Sequence, residues 1–318
     1  MVKNHAIAIN PLDGGLQYSG FIVKSYPCVL GSDASGTVHS IGSAVTKCKP
    51  GDRVAGFACM VMTGEMDQGA FQQYCLLFDN VVTKLPSETS FEQAAVLPMA
   101  VATAGVGIFM CMGAPRGPSF TKQEGIFLIT GASSSVGAAA VQIARILGFT
   151  VFATASPKHD DSIKKLGASQ VFDYKDPHMA ENIIDATRAS GGSIKYCFAA
   201  ISRDGNAQIA AKIISSFATP SNAIKSHLCT SLPWPESGPK PEGIKITMTG
   251  AAIAVTVRKE FGAWLFSDFL AEKLESGEFV PSPEIEIVRG GLERGLVAGV
   301  ERYKKGVSGT KIVVRLAY

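Results

Sequence analysis

No run of like charge, no internal repeat and no close pair of cysteines mark this chain of 318 residues. Lysine and arginine number 30 against 27 acidic residues, a formal net charge of +3. That excess is too small and too evenly spread for a nucleic-acid partner. The seven cysteines, at 28, 48, 59, 75, 111, 197 and 229, are odd in number and scattered. Such usage argues against a disulfide framework and for free thiols in a reducing, cytoplasmic setting. The opening MVKNHAIAINPLDGG holds no long apolar run, so no secretory leader is expected. Disorder is excluded by a chain that is 46% hydrophobic and 18% charged.

One stretch, AAVLPMAVATAGVGIFMCMGA (94–114), lacks charge altogether and approaches membrane-spanning length. Pro98 interrupts it, and small residues outnumber large ones. Close packing inside a protein, with no membrane, is the expected reading.

From 1 to about 90 the chain reads as short strands and turns, GAFQQYCLL (69–77) among the strands. Ser90 and Gln93 form a capping-box pattern that opens a helix. GIFLITG is then a continuously apolar strand, as in a parallel sheet buried on both faces. Strands at 126–130, 150–155, 170–172 and 194–200 alternate with helices at 136–147, 160–166, 178–189 and 205–215. That alternation is the pattern of a doubly wound sheet. Residues 219–243, rich in Pro and Ser, read as a long surface loop. A strand at 245–253, an amphipathic helix at 260–277 and a helix–turn–strand tail follow.

The loop GASSSVG (131–137) lacks the central glycines usual in a dinucleotide fingerprint. It keeps Gly131 for the turn and Gly137 for helix–strand packing. The amides of Ser134, Ser135 and Val136, with the hydroxyls of Ser133 to Ser135, are candidates for the pyrophosphate. NAD-binding domains place an acid about 20 residues further on. Here the second strand ends in Ser156-Pro157-Lys158-His159. A hydroxyl, a cation and an imidazole suit a 2′-phosphate, and Tyr174 is placed to join them. NADP(H) is therefore the expected cofactor.

KPGDRVAG, DQGAFQQY, SFEQAAVLPMAVATAG, GASSSVGAAAVQIA, ATASPKH, LGASQVFDYKDP and KKGVSGTKIVV together resemble the medium-chain dehydrogenase/reductases. The resemblance is to the fungal zinc-independent branch, which includes quinone-oxidoreductase-like enzymes and trans-acting enoyl reductases. It implies an α/β fold with a GroES-like β domain, N-terminally shortened, plus a Rossmann doubly wound parallel sheet. The implied division is 1–92 with 266–318, and 93–265. Leu12 and Asp13 (in Asn10-Pro11-Leu12-Asp13), Thr103, Val313 and Val314 are implied on the cofactor side.

Zinc-dependent relatives carry GHE where this chain has Gly31-Ser32-Asp33. Asp33 and Cys28 alone cannot complete a tetrahedron, so no zinc is expected. Without a metal Lewis acid, reduction of an activated C=C bond is easier than alcohol oxidation. The resemblance then implies an NADPH-dependent reductase of enones or enoyl thioesters, acting in fungal polyketide metabolism. Its substrate would be small and hydrophobic, free or tethered to a synthase carrier domain, and the protein a monomer or homodimer. Tyr18 is a candidate proton donor by the same resemblance. Met99 and the 219–243 loop are expected to border the substrate pocket. A general quinone or aldehyde reductase and a non-catalytic NADPH-binding protein are the other readings.

Overall fold

The computed structural model describes residues 1–117, 121–217, 226–235, 238 and 240–316. Its strands, in chain order, are β1 (Val2–Ala8), β2 (Asp33–Val38), β3 (Arg53–Phe57), β4 (Tyr74–Cys75), β5 (Val82–Lys84), β6 (Ile126–Thr130), β7 (Thr150–Ala155), β8 (Gln170–Asp173), β9 (Ile194–Ala199), β10 (Ser226–Thr230), β11 (Ile244–Met248), β12 (Glu284–Val288) and β13 (Thr310–Arg315). They form two sheets in two compact units. The first unit is Met1–Ala102 with Ala251–Tyr318, and the second is Thr103–Gly250.

The division lies ten or more residues from the expected 92/93 and 265/266. Residues on the far side of those positions are tied into the first unit. The Met99 amide donates to Asp33 Oδ1 at 2.7 Å, and Asn80 Nδ2 donates to the Ala254 carbonyl at 3.1 Å.

The first unit carries the sheet β12-β13-β1-β2-β3-β5, with β4 added to β1. β1 runs antiparallel to β2, with a register shift between Asn4 and Ala6. There the strands close so tightly that a Cβ on Gly36 would stand 1.9 Å from the Lys3 carbonyl oxygen. Ile7, Ile9, Val54, Ile312 and Val314 centre the core. The strand expected over 69–77 shrinks to Tyr74–Cys75. Side chains satisfy this segment where a ladder would have: Asn4 Nδ2 donates to the carbonyls of Ala70 and Gln72, and Gln72 Nε2 to that of Gly69.

The second unit is a wholly parallel sheet, β11-β10-β9-β6-β7-β8. Every residue of β6 is buried, as its unbroken apolar run requires. Two expectations fail here. β10 lies inside the stretch read as a loop, and the strand read over 245–253 ends at Met248, with a short helix at Ala252–Thr256.

The helical stretch Phe91–Cys111 is, among the described residues, long and apolar enough to cross a membrane. Its most apolar 18-residue window is 78% buried within the protein. Ser90 and Gln93 make the expected reciprocal cap.

Candidate dinucleotide site

β6 sits in the middle of the parallel sheet. From it the chain order runs outward through β7 and β8 on one side and β9, β10 and β11 on the other. At such a reversal the loops past the strand ends splay apart and leave a crevice. The serine loop opens there. Gly131 takes φ +70°, and its amide donates to the Thr154 hydroxyl at 3.1 Å, fixing the loop to β7. A Cβ on Gly137 would lie 2.3 Å from the Gly131 carbonyl oxygen, so only glycine lets the helix Ser135–Ile146 start this close to the strand.

Within the loop, Ser134 has a different task from the one expected. Its amide donates to the Gly131 carbonyl at 3.1 Å. Its hydroxyl donates to the same carbonyl at 2.8 Å and accepts from the Gly137 amide at 3.1 Å. Ser134 is thus the N-cap, and both its polar groups are spent inside the loop. Ser133, Ser135 and Val136 stay partly exposed. The amides of Ser135 and Val136 stand in the unbonded first turn, where the helix dipole favours an anion.

Ala155 of β7 pairs with Asp173 of β8, so Ser156 and Tyr174 each follow one residue beyond neighbouring strand ends. Pro157–His159 form a single 3₁₀ turn. Lys158 is exposed, and Tyr174 is half-exposed with the Lys175 ammonium 5.9 Å from its ring centre. Asp160, the next acid along the chain, pairs with Lys164 at 2.7 Å along the following helix, and Asp173 ends β8 opposite Ala155. The Thr103 carbonyl accepts from the Thr249 hydroxyl at 2.6 Å.

In the first unit, Asn10, Asp13, Asp33 and Lys311 form a buried polar cluster. The Asn10 amide donates to Asp13 Oδ2 at 2.8 Å, and its Nδ2 donates to Asp33 Oδ2 at 2.8 Å. Lys311 Nζ donates to Asn10 Oδ1 at 2.5 Å and pairs with Asp33 Oδ2 at 3.1 Å. Burial first, and then the Asp33 charge, push the Asp13 carboxyl up to about 7; the Asn10 amide and Lys311 oppose them. Nothing at full hydrogen-bond geometry holds Asp13 Oδ1 among the described residues.

Leu12 is half-buried beside this cluster. Val313 and Val314 are fully buried, opposite Ala8 and Ile7, with Val314 turned into the core. Tyr18 is 94% exposed, and no described residue holds its hydroxyl. Lys311 escaped the sequence reading. Its one signal there is a charge set directly before the apolar run Ile312-Val313-Val314.

The model of the alcohol dehydrogenase GroES-like domain matches residues 1–87, and that of the zinc-binding dehydrogenases matches 135–218. A dehydrogenase of Monascus ruber is 36% identical over 99% of this chain and 91% of its own. A trans-enoyl reductase of Aspergillus flavipes is 38% identical over the same shares. The chain belongs to the medium-chain dehydrogenase/reductases. An alcohol dehydrogenase superfamily protein of Novosphingobium aromaticivorans shares the fold, with a TM-score of 0.79 at 20% identity over 99% of this chain and 91% of that one.

As a medium-chain dehydrogenase/reductase of the quinone-oxidoreductase-like branch, the protein is an oxidoreductase that takes a nicotinamide dinucleotide. The serine loop and the neighbouring strand ends fit that group. Zinc fits poorly. Asp33 Oδ2 already serves Lys311 and Asn10, Oδ1 serves the Met99 amide, and the lysine ammonium stands where a cation would bind. Among the described residues no three His, Cys, Asp or Glu side chains gather to hold a metal.

Proposed function

We propose that this protein is a zinc-independent, NADPH-dependent reductase of activated C=C bonds, in enones or enoyl thioesters, working in trans for a fungal polyketide synthase. The set Ser156, Lys158, His159 and Tyr174 at the paired ends of β7 and β8 carries the cofactor choice. It offers hydroxyls, a cation and an imidazole where an NAD site would offer a carboxylate. The trans-enoyl reductase of Aspergillus flavipes supports the substrate class.

NADPH held there supplies the hydride. The amides of Ser135 and Val136 take the pyrophosphate, and Lys158 neutralises the 2′-phosphate. By the family resemblance Thr103 in the second unit, and Leu12, Val313 and Val314 in the first, are each assigned to the nicotinamide side; Val314 packs in the core of its own unit. Reduction beside a carbonyl develops charge on the carbonyl oxygen, which hydrogen-bond donors stabilise without a metal. Tyr18 is the candidate donor of the second proton, and Met99 a border of the substrate pocket. The rest of the expected pocket border, 219–243, falls partly at 219–225, 236–237 and 239, outside the described residues.

The test is NADPH oxidation by the purified protein against enoyl thioesters, free enones and quinones. Turnover on thioesters and enones is expected. Turnover on quinones alone would overturn the C=C reading, and stoichiometric zinc in the active protein would overturn the metal-free one. Tyr18→Phe should lower kcat and leave KM unchanged if the phenol gives the proton.

A further inference from the structure

The parallel-sheet unit brings two cysteines together away from the dinucleotide loop. Cys229 lies in β10 and is fully buried, whereas Cys111, at the end of the π-helical turn Val106–Cys111, is half-exposed. β11 lies beside β10, pairing Thr247 with Cys229 and Met248 with Thr230. Cys111 Sγ donates to the Met248 carbonyl at 3.5 Å. One turn earlier in the helix, a Cβ on Gly107 would come within 3.2 Å of Cys229 Sγ. Glycine there lets helix and strand close, which brings the Cys111 thiol, one turn on, to the side of the strand that carries Cys229.

We propose that Cys111 and Cys229 form a redox-modification site, in which hydrogen peroxide oxidises Cys111 and Cys229 closes an intrachain disulfide. The Cys111 thiolate attacks one peroxide oxygen and the O–O bond breaks. This leaves a sulfenic acid on Cys111 and a hydroxide that takes a proton from solvent. Cys229 sulfur then attacks the sulfenic sulfur. The S–S bond forms as the S–OH bond breaks, and the Cys229 proton leaves with that hydroxyl as water. Two thiols and one peroxide thus give one disulfide and two waters, with two electrons passing from sulfur to oxygen.

The surroundings assign the order of events. The Cys229 S–H bond to Cys111 lowers the Cys111 thiol to about 7, against burial and with help from Lys245. Cys229 is pushed up by the same bond and by burial. Burial also raises Cys48, and it drives Cys59 and Cys75 up to about 12. Peroxide selects thiols that are both ionised and reachable, with a second thiol at hand to resolve them.

The purified full-length protein is treated with a small excess of hydrogen peroxide, denatured, alkylated and digested without reductant. The chain should lose two hydrogen atoms, and one cross-linked peptide pair should carry Cys111 and Cys229. Dithiothreitol should reverse both changes. Iodoacetamide should label native Cys111 at least about tenfold faster than Cys48 at pH 7, with half-maximal rate near pH 7. In Cys229→Ala the sulfenic acid should persist long enough for dimedone to trap it, and the labelling midpoint should move upward. The proposal falls if both thiols stay alkylatable after Cys28 and Cys48 have oxidised. It falls equally if Cys111 passes to sulfinic acid while Cys229 remains reduced, or if Cys229→Ala leaves the labelling midpoint where it was.

Discussion

Lys158 projects from the turn after β7 with its ammonium in solvent. A cation in that position adds little to the fold, because an exposed charge is well screened. Against the 2′-phosphate of the proposed NADPH it would make a charge-assisted bond that NADH cannot offer. Lys158→Ala should weaken NADPH by about tenfold or more, roughly 1.4 kcal/mol, and leave NADH almost unchanged. Titration of reduced-nicotinamide fluorescence measures both, and equal losses would remove Lys158 from the clamp. Lys311 is the opposite case. It is buried against Asp33 with side-chain exposures of 6% and 0%. Lys311→Met would strand Asp33, with Asp13 close by, in a site closed to water. The expected cost is about 3–5 kcal/mol in urea denaturation, since an uncompensated buried carboxylate remains. Adding Asp33→Asn should restore part of that loss, because the two changes share one interaction.

At the scale of elements, the serine loop shows what a sequence can carry. GIFLIT is apolar up to its closing threonine, Ser134 is a good cap, and Gly131 and Gly137 stand where backbone meets backbone. Each of those signals is local, so the strand, the turn and the helix start were all legible. The division of labour among the serines was not, since it depends on which oxygen the Ser134 hydroxyl meets. β10 is hidden from the sequence for a related reason. Ser226 and His227 look like loop residues, yet Ser226 Oγ donates to the Ile194 carbonyl and the His227 ring bonds the Thr247 hydroxyl. Polar groups satisfied by neighbouring strands leave no trace in a periodic pattern. The Asp33–Lys311 pair was hidden in the same way, by distance along the chain. Gly137→Ala tests the local part. Its Cβ would press on the backbone of Gly131 and Ala132, which cannot move without shifting β6 or the helix. Dinucleotide binding should fall at least about tenfold, with a stability loss of about 1–3 kcal/mol typical of overpacking. Retained NADPH affinity in Gly137→Ala would show that the helix start does not set the phosphate site.

Stability against pH belongs to the whole molecule, and here two buried groups, one in each unit, pull it in opposite directions. Asp13 rises from 3.8 to about 7, chiefly through burial. Its folded form keeps a proton that the unfolded chain releases, so its contribution is complete below pH 3.8 and is lost as pH climbs to 7. His227 falls from 6.5 to about 4, again chiefly through burial with Lys245 adding to it. Its folded form stays neutral where the unfolded chain takes up a proton, so its contribution is complete above pH 6.5 and is lost as pH drops to 4. The windows overlap, and the intact protein should show a flatter profile between pH 4 and 7 than either group would give alone. Asp13→Asn keeps an oxygen for the Asn10 amide and removes the titration. Measured as variant minus wild type, its Tm should climb by about 2 °C or more from pH 4 to 7. His227→Gln keeps a polar partner for Thr247, and its difference should run the other way, climbing as pH falls from 6.5 to 4. Thermal denaturation of the two variants beside the wild type supplies both slopes. Two slopes of the same sign would mean that one of these groups is not held in the buried state described here.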